Sequence, residues 1–244
     1  MISNAEIKRV KALQSKKFRD ESGLFVVEGE KMVAEALESG LQVEAVYRRD
    51  EIGEQAMARI SSLNSPSPVL AVVRQAAAPD IDEIRSFVRS CGRDMLAIAL
   101  DEIRDPGNLG TIIRLADWYG IDAVFCSEGT VELYNPKVVQ STMGAIFRKK
   151  VIYCDLNNIF DIFASNGLPI YGTFLEGEDI YRSELSSGGL IVMGNEANGI
   201  SPELRSRISA KLFIPPYPGN RKTAESLNVA IATAITVSEF RRRR

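Results

Sequence analysis

Apolar residues recur along this chain with two spacings, about two residues and about three and a half, and their alternation predicts an α/β protein. Near the amino end, Ile2–Gln14 carries a helical pattern and Leu24–Glu28 a short apolar strand. Met32, Val33, Ala36 and Leu37 form one stripe of a helix over Gly29–Ser39, with Gly40 placed to cap its carboxyl end. β-rich runs follow at Val43–Tyr47 and Val69–Val73, around the turn-rich stretch Ser61–Pro68. Together these elements make an α/β unit of about 75 residues.

The segment Gln75–Asp80, with three consecutive alanines and a proline, reads as a hinge, and Asp80–Ser90 as a linking helix ended by Gly92. From Arg93 onward strands and helices alternate. Strands are expected at Met95–Leu100, Ala123–Cys126, Val151–Cys154, Ile170–Thr173, Leu190–Met193 and Lys211–Ile214. Helices are expected at Asn108–Tyr119, Pro136–Met143, Ile159–Ser165, Pro202–Arg207 and Leu227–Phe240. This order implies a parallel sheet covered on both faces, with ligands bound beyond the carboxyl ends of its strands. The expected organisation is a first domain over 1–75, a linker over 76–92 and a larger domain over 93–244.

Composition narrows the picture by exclusion. The chain is 45% hydrophobic and 25% charged, as soluble globular proteins are, and no apolar run approaches the ~20 residues of a membrane span. Its first twenty residues lack the apolar core of a secretory signal, and Glu6 and Asp20 do not suit a mitochondrial presequence. Cys91, Cys126 and Cys154 form no CxxC pair, which suits a reducing compartment; the expected location is cytoplasmic. There is no histidine, which removes the Ser-His-Asp triad, the HExxH zinc site and histidine bases, and no metal site is expected.

Net charge is −2, yet the cations are not evenly spread. Lys8, Arg9, Lys11, Lys16, Lys17 and Arg19 follow one another with no intervening acid, and the chain ends in Arg241-Arg242-Arg243-Arg244. Two readings of these runs stand: phosphate-binding surfaces, or a solvated helix face and a frayed tail.

Three loops that follow apolar strands are rich in Gly, Asn and Pro. The first, from Asp101 to Gly110, leads into a helix that Asn108 can cap, with Ile112, Leu115, Ala116 and Tyr119 as its buried stripe. Arg114 lies off that stripe, either facing a phosphate or ribose or ion-paired with Asp117 for ~0.2–0.5 kcal/mol. The second, Gly194-Asn195-Glu196-Ala197-Asn198-Gly199-Ile200-Ser201-Pro202, lets the backbone turn sharply and holds a carboxylate in the turn. The third runs from Phe213 through Ile214-Pro215-Pro216 to Ser226-Leu227-Asn228-Val229-Ala230, with Ser226 as a candidate cap of the closing helix. Alone, each is also explained by ordinary turn and cap chemistry.

Taken in order, Asp101…Asp105-Pro106-x-Asn108-x-Gly110…Arg114, then Gly194-Asn195-Glu196…Gly199-Ile200-Ser201, then Ile214-Pro215…Ser226-Leu227-Asn228-Val229-Ala230, the loops resemble the SpoU (TrmH-like) branch of the SPOUT RNA methyltransferases. Leu24–Leu37, LFVVEGEKMVAEAL, resembles the ribosomal-protein-like substrate-binding domain that precedes many such enzymes. The resemblance implies a parallel-sheet SPOUT domain whose last segment, about Leu190–Phe240, forms a deep trefoil knot. It implies S-adenosyl-L-methionine as cofactor, with Thr173, Gly194, Ile214 and Leu227 at cofactor-contacting positions, and a homodimer that methylates a ribose 2′-hydroxyl of ribosomal or transfer RNA.

In that family pattern Arg114 activates the hydroxyl, Asn108 and Glu196 orient Arg114 or the substrate, Asn228 serves the cofactor end and Ser226 fills a further polar position. The basic residues from Lys8 to Arg19 would dock RNA. Two departures stand out: the stretch from Ile214 to Ser226 is lengthened around Arg221 and Lys222, and Ala230 replaces a frequent serine. An alternative is a non-catalytic RNA-binding or ribosome-assembly protein on the same fold. A conventional nucleotide enzyme is disfavoured, since both G-x-G-x-x-G and G-x-x-x-x-G-K-[ST] are missing.

Overall fold

The computed structural model describes residues 2–218 and 224–243. The chain divides into two compact units, one of Met1–Ala77 with Glu132–Arg148, the other of Ala78–Val131 with Lys149–Arg244.

The first unit holds three strands, β1 (Leu24–Glu28), β2 (Val43–Arg48) and β3 (Val69–Arg74), in the antiparallel order β1-β3-β2. Val69 to Val73 of the central strand are all buried, as a strand covered on both faces requires. Helices Asn4–Ala12 and Glu54–Ile60 bury Ile7, Val10, Met57 and Ile60 against Leu24, Val26, Leu70 and Val72. The helix Glu30–Glu38 buries Met32, Val33 and Ala36, whereas Leu37, expected on the same stripe, is 55% exposed. The short helices Arg49–Ile52 and Glu54–Ile60 were not expected; Gly53, at φ 87, separates them and leaves neither long enough to show a period.

Residues 132–148 belong to this unit through specific contacts. Arg19 is 2% exposed, and its Nε and Nη2 donate to both Glu132 carboxylate oxygens at 2.8 and 2.6 Å while Nη1 donates to the Leu13 carbonyl at 2.7 Å. The Phe25 and Tyr134 rings lie 4.5 Å apart. Helix Pro136–Thr142 ends at Met143 and Gly144, both at positive φ, and Arg148 ion-pairs with Glu35.

The second unit is built on β4 (Leu96–Leu100), β5 (Ala123–Cys126), β6 (Lys150–Tyr153), β7 (Ile170–Phe174), β8 (Glu178–Asp179), β9 (Gly189–Met193) and β10 (Ala210–Phe213). All pair in parallel, in the order β6-β5-β4-β9-β7-β10-β8. The expected α/β class with a parallel sheet is therefore present. On one face, helices Ile81–Cys91 and Leu156–Ser165 pack Ile84, Val88, Ile159 and Phe163 against Ala97, Ala99, Phe125 and Val192. The alternation of a strand turns Tyr171 to the other face, where its ring meets Phe240 of the last helix, Val229–Arg242, at 5.0 Å.

Strand order reverses direction between β4 and β9: the chain runs outward through β5 and β6, then returns to fill the opposite side. Crevices at such reversals, beyond the carboxyl ends of the strands, are where open α/β sheets bind ligands. The knot expected over about Leu190–Phe240 spans residues 219–223, which lie outside the described residues, as do the expected Arg221 and Lys222 insertion and Arg244.

Candidate active site

The loops that leave β4 and β9 are locked together by two buried polar side chains. Asp101 takes the Ser201 backbone N–H on Oδ2 at 2.7 Å, and its own N–H donates to the Met193 carbonyl at 2.9 Å. Asn195 donates from Nδ2 to the Glu102 carbonyl at 2.7 Å and accepts from the N–H groups of Ala197 and Asn198 on Oδ1. Their burial, 5% and 8% exposed, is tolerable because each is hydrogen-bonded. Both belong to the motifs read in the sequence, but neither was given a role there. Gly194 has its own reason: a Cβ would run into the Gly199–Ile200 backbone, which approaches too closely for any side chain.

Above this frame a hydrogen-bonded relay joins all three loops. Asn228 Nδ2 donates to Asn108 Oδ1 at 2.9 Å, and Asn108 Nδ2 donates to Glu196 Oε1 at 2.8 Å. Asn228 Oδ1 accepts the N–H groups of Ala230 and Ile231, so Asn228 is the cap of the last helix. The expected cap, Ser226, stands two residues before the actual cap and is exposed. Asn108 likewise is not a cap. The helix is Pro106–Trp118 with Asp105 as its cap, accepting the Asn108 N–H at 2.8 Å, because Pro106 fits the first helical position.

That helix buries Leu109, Gly110, Ile112, Ile113 and Ala116, while Leu115 and Tyr119, expected on the stripe, are half-buried. Arg114 is exposed and has no hydrogen-bond or ion-pair partner among the described residues. Asp117, its alternative partner, lies 4.0 Å from Lys149 instead. Six residues of helix, about 9 Å of rise, separate Arg114 from Asn108, and no hydrogen bond joins it to Asn108 or Glu196.

Three of the four expected cofactor positions fall at the carboxyl ends of neighbouring strands, and the fourth precedes the last helix. Thr173 is near the end of β7, its hydroxyl 3.3 Å from the Val192 carbonyl. Gly194 follows β9, Ile214 follows β10 and is half-buried, and Leu227, 50% exposed, precedes the cap of the last helix. Two aliphatic side chains, a hydroxyl and the turned backbone after β9 suit a neutral heterocycle; none of the four carries a charge that would select phosphate. Among the described residues no group of three or more Cys, Asp or Glu is arranged to hold a metal ion.

Residues 95–238 match the model of the SpoU rRNA methylase family, and residues 4–77 match that of the MRM3-like substrate binding domain. The chain belongs to the SpoU rRNA methylase family. It is 31% identical to a 23S rRNA (guanosine(2553)-2′-O)-methyltransferase of Bacillus subtilis, over 98% of this chain and 96% of that one. A putative RNA methyltransferase of the TrmH family from Porphyromonas gingivalis superposes with a TM-score of 0.87 at 34% identity, covering 100% of both chains. An AdoMet-bound rRNA methyltransferase from Sinorhizobium meliloti gives 0.86 at 30% identity, over 100% of this chain and 96% of that one.

In this SpoU-family chain the two basic runs differ from expectation. Arg19 does not face solvent; it is the buried partner of Glu132. Arg9 is held by Glu6, and Lys16 and Lys17 lie near Asp20 and Glu21, while Lys8 and Lys11 are exposed without an ion-pair partner among the described residues. The described arginines of the tail are engaged: Arg241 donates to the Tyr119 and Gly120 carbonyls, and Arg242 and Arg243 both hold Glu239. Arg243 also donates to the Ser183 and Ile180 carbonyls. The Arg242 guanidinium beside it holds the Glu239 carboxyl down at about 2. Burial pushes the Cys126 thiol well up and that of Cys154 to about 12, so both are poor nucleophiles at neutral pH.

Proposed function

We infer that this SpoU-family chain transfers a methyl group from S-adenosylmethionine to a ribose 2′-hydroxyl of ribosomal or transfer RNA. One observation carries the reading: the Asn228–Asn108–Glu196 relay ties the three family loops together where the sheet reverses direction, on the helix that presents Arg114. The bound cofactor would supply a sulfonium-activated methyl group, and Thr173, Gly194, Ile214 and Leu227 would hold it.

The chain's own task is then positional. A ribose hydroxyl is a poor nucleophile, and holding it in line for displacement supplies much of the acceleration. A guanidinium is a fixed cation rather than a base, so the part of Arg114 is to stabilise the alkoxide that develops as the hydroxyl proton leaves to an RNA phosphate or to water. Asn108 and Glu196 act through the relay, setting the helix and the loop after β9 rather than touching Arg114; Asn228 fixes the start of the last helix, and Ser226 is assigned to the substrate side of the same loop.

The first domain, 1–75, docks RNA through Lys8 and Lys11, with Arg9, Lys16 and Lys17 contributing to the field. A cytoplasmic homodimer is the assembly that fits. No helix among the described residues is long and apolar enough to cross a membrane. Trp118 is 84% exposed and Ile231 52%, apolar surface that a second copy would cover; sedimentation showing only monomer at micromolar concentration would remove that part.

The central test is Arg114→Ala, assayed with labelled S-adenosylmethionine on RNA from a strain lacking the gene. Turnover is expected to fall at least a hundredfold, on the order of losing one donor to a developing oxyanion, with cofactor affinity within about twofold. Near-normal turnover would sink the role of Arg114. Calorimetry showing no cofactor binding by the unaltered chain would instead favour a non-catalytic RNA-binding protein.

A further inference from the structure

The last helix runs beside the Arg114 helix and is tied to it at both ends. At the amino ends, Asn228 donates to Asn108 at 2.9 Å. At the carboxyl ends, Arg241 Nε donates to the Tyr119 carbonyl at 2.8 Å and Nη2 to the Gly120 carbonyl at 2.6 Å.

The Arg114 helix closes internally, with Tyr119 N–H on the Leu115 carbonyl, Gly120 N–H on that of Asp117 and Ile121 N–H on that of Ala116, Gly120 being at φ 61. Those bonds leave the Tyr119 and Gly120 carbonyls pointing onward, and the fork of Arg241 takes both. A cation there also meets the negative end of the helix dipole.

We propose that Arg241 is a positioning residue for methyl transfer, a latch that fixes the carboxyl end of the Arg114 helix against the helix that follows the third loop. Without it the tie at the carboxyl ends is lost while the Asn108–Asn228 tie at the amino ends stays, and the Arg114 helix pivots about that end. Arg114 lies between the two ties, so a small swing displaces its guanidinium, and a shift of about 1 Å at a reacting group costs on the order of a hundredfold. Three of the four cofactor positions, Thr173, Gly194 and Ile214, lie in or directly after strands β7, β9 and β10 and have no contact with Arg241, and the fourth, Leu227, precedes the amino end of the last helix, which Asn228 ties independently. The proposal rests on the role given to Arg114 above.

Arg241→Ala, Arg241→Lys and, as a control in the same tail, Arg242→Ala test it. For Arg241→Ala, kcat on RNA is expected to fall ten- to a hundredfold, with cofactor Kd and RNA KM within about twofold and far-ultraviolet dichroism unchanged. Arg241→Lys should recover part of kcat, since an ammonium keeps the charge and loses the fork. Arg242→Ala should leave kcat near the parent value.

Trp118, the single tryptophan and the last residue of the Arg114 helix, gives a native-state readout that a loss of global stability would not move. Its fluorescence anisotropy decay should gain a fast component in Arg241→Ala, and in Arg241→Lys to a lesser degree should the alanine variant fold poorly. A kcat within twofold of the parent, an unchanged decay, or a loss of kcat matched by equal loss of folded protein overturns the latch. Separately, an inactive Arg114→Ala beside a normal Arg241→Ala would defeat the latch alone, whereas an active Arg114→Ala would defeat the role of Arg114 and with it the latch that rests on it.

Discussion

The two ends of this chain carry similar clusters of positive charge and put them to opposite uses. From Lys8 to Arg19 the lysines stay in solvent, Lys8 and Lys11 with no ion-pair partner among the described residues, and only Arg19 turns inward to Glu132. At the other end Arg241, Arg242 and Arg243 are spent on backbone carbonyls and on Glu239. What separates the cases is the head group and the acceptor within reach. A planar guanidinium satisfies a carboxylate or two carbonyls at once, whereas an ammonium on a flexible stem gains little from one and remains hydrated. A basic run is therefore two populations, and only the unengaged part is available to a phosphate backbone.

The sharpest way to break this contrast is Arg19→Ala. Removing the buried cation leaves Glu132 and the Leu13 carbonyl unpaired, and the cost is expected at about 3–5 kcal/mol of unfolding free energy by urea titration. A cost below about 1 kcal/mol would return Arg19 to the solvated set. Next in size, replacing Lys8 and Lys11 together by alanine should weaken RNA binding and lower the slope of log affinity against log salt by about 1.5 to 2, with no change in thermal midpoint. An unchanged slope would mean the free lysines do not meet phosphate.

The smallest expected effect is a pH dependence. The Glu239 carboxyl is depressed in the folded chain, so its stabilisation is complete above its ordinary value of 4.5 and is lost as pH falls toward about 2. Glu239→Gln should lower the thermal midpoint by a few degrees at pH 7 and flatten its decline between pH 4.5 and 2. Parallel declines in parent and variant would show that the tail arginines hold Glu239 without stabilising the fold.

Strands were the most legible part of this molecule, because strands buried on both faces leave unbroken apolar runs such as Leu96–Leu100 and Gly189–Met193. The site was legible as three loops and a set of residue types, but not as a network. Asn108 and Ser226 each satisfy the local rule for a helix cap, and both lose that role, to Asp105 through the proline that follows it and to Asn228 through a partner 120 positions away. Asp101 and Asn195 were visible as motif residues but not as locks between loops, for the same reason: their partners, Ser201 and Glu102, are distant in sequence. Arg19 could not be told from its neighbours, since the acid that buries it lies at position 132. Local chemistry proposes roles, and long-range acceptors choose among them.

The relay also has a direction. Backbone N–H groups of Ala230 and Ile231 point at Asn228, the Asn228 amide points at Asn108, and the Asn108 amide points at Glu196. Every donor faces the same way, so two side-chain amides prolong the aligned dipoles of the last helix beyond its first turn, each link polarising the next. Electrically, that helix does not begin at Val229. Its positive pole is carried across two loops and grounded on a carboxylate that the chain supplied thirty-odd residues earlier.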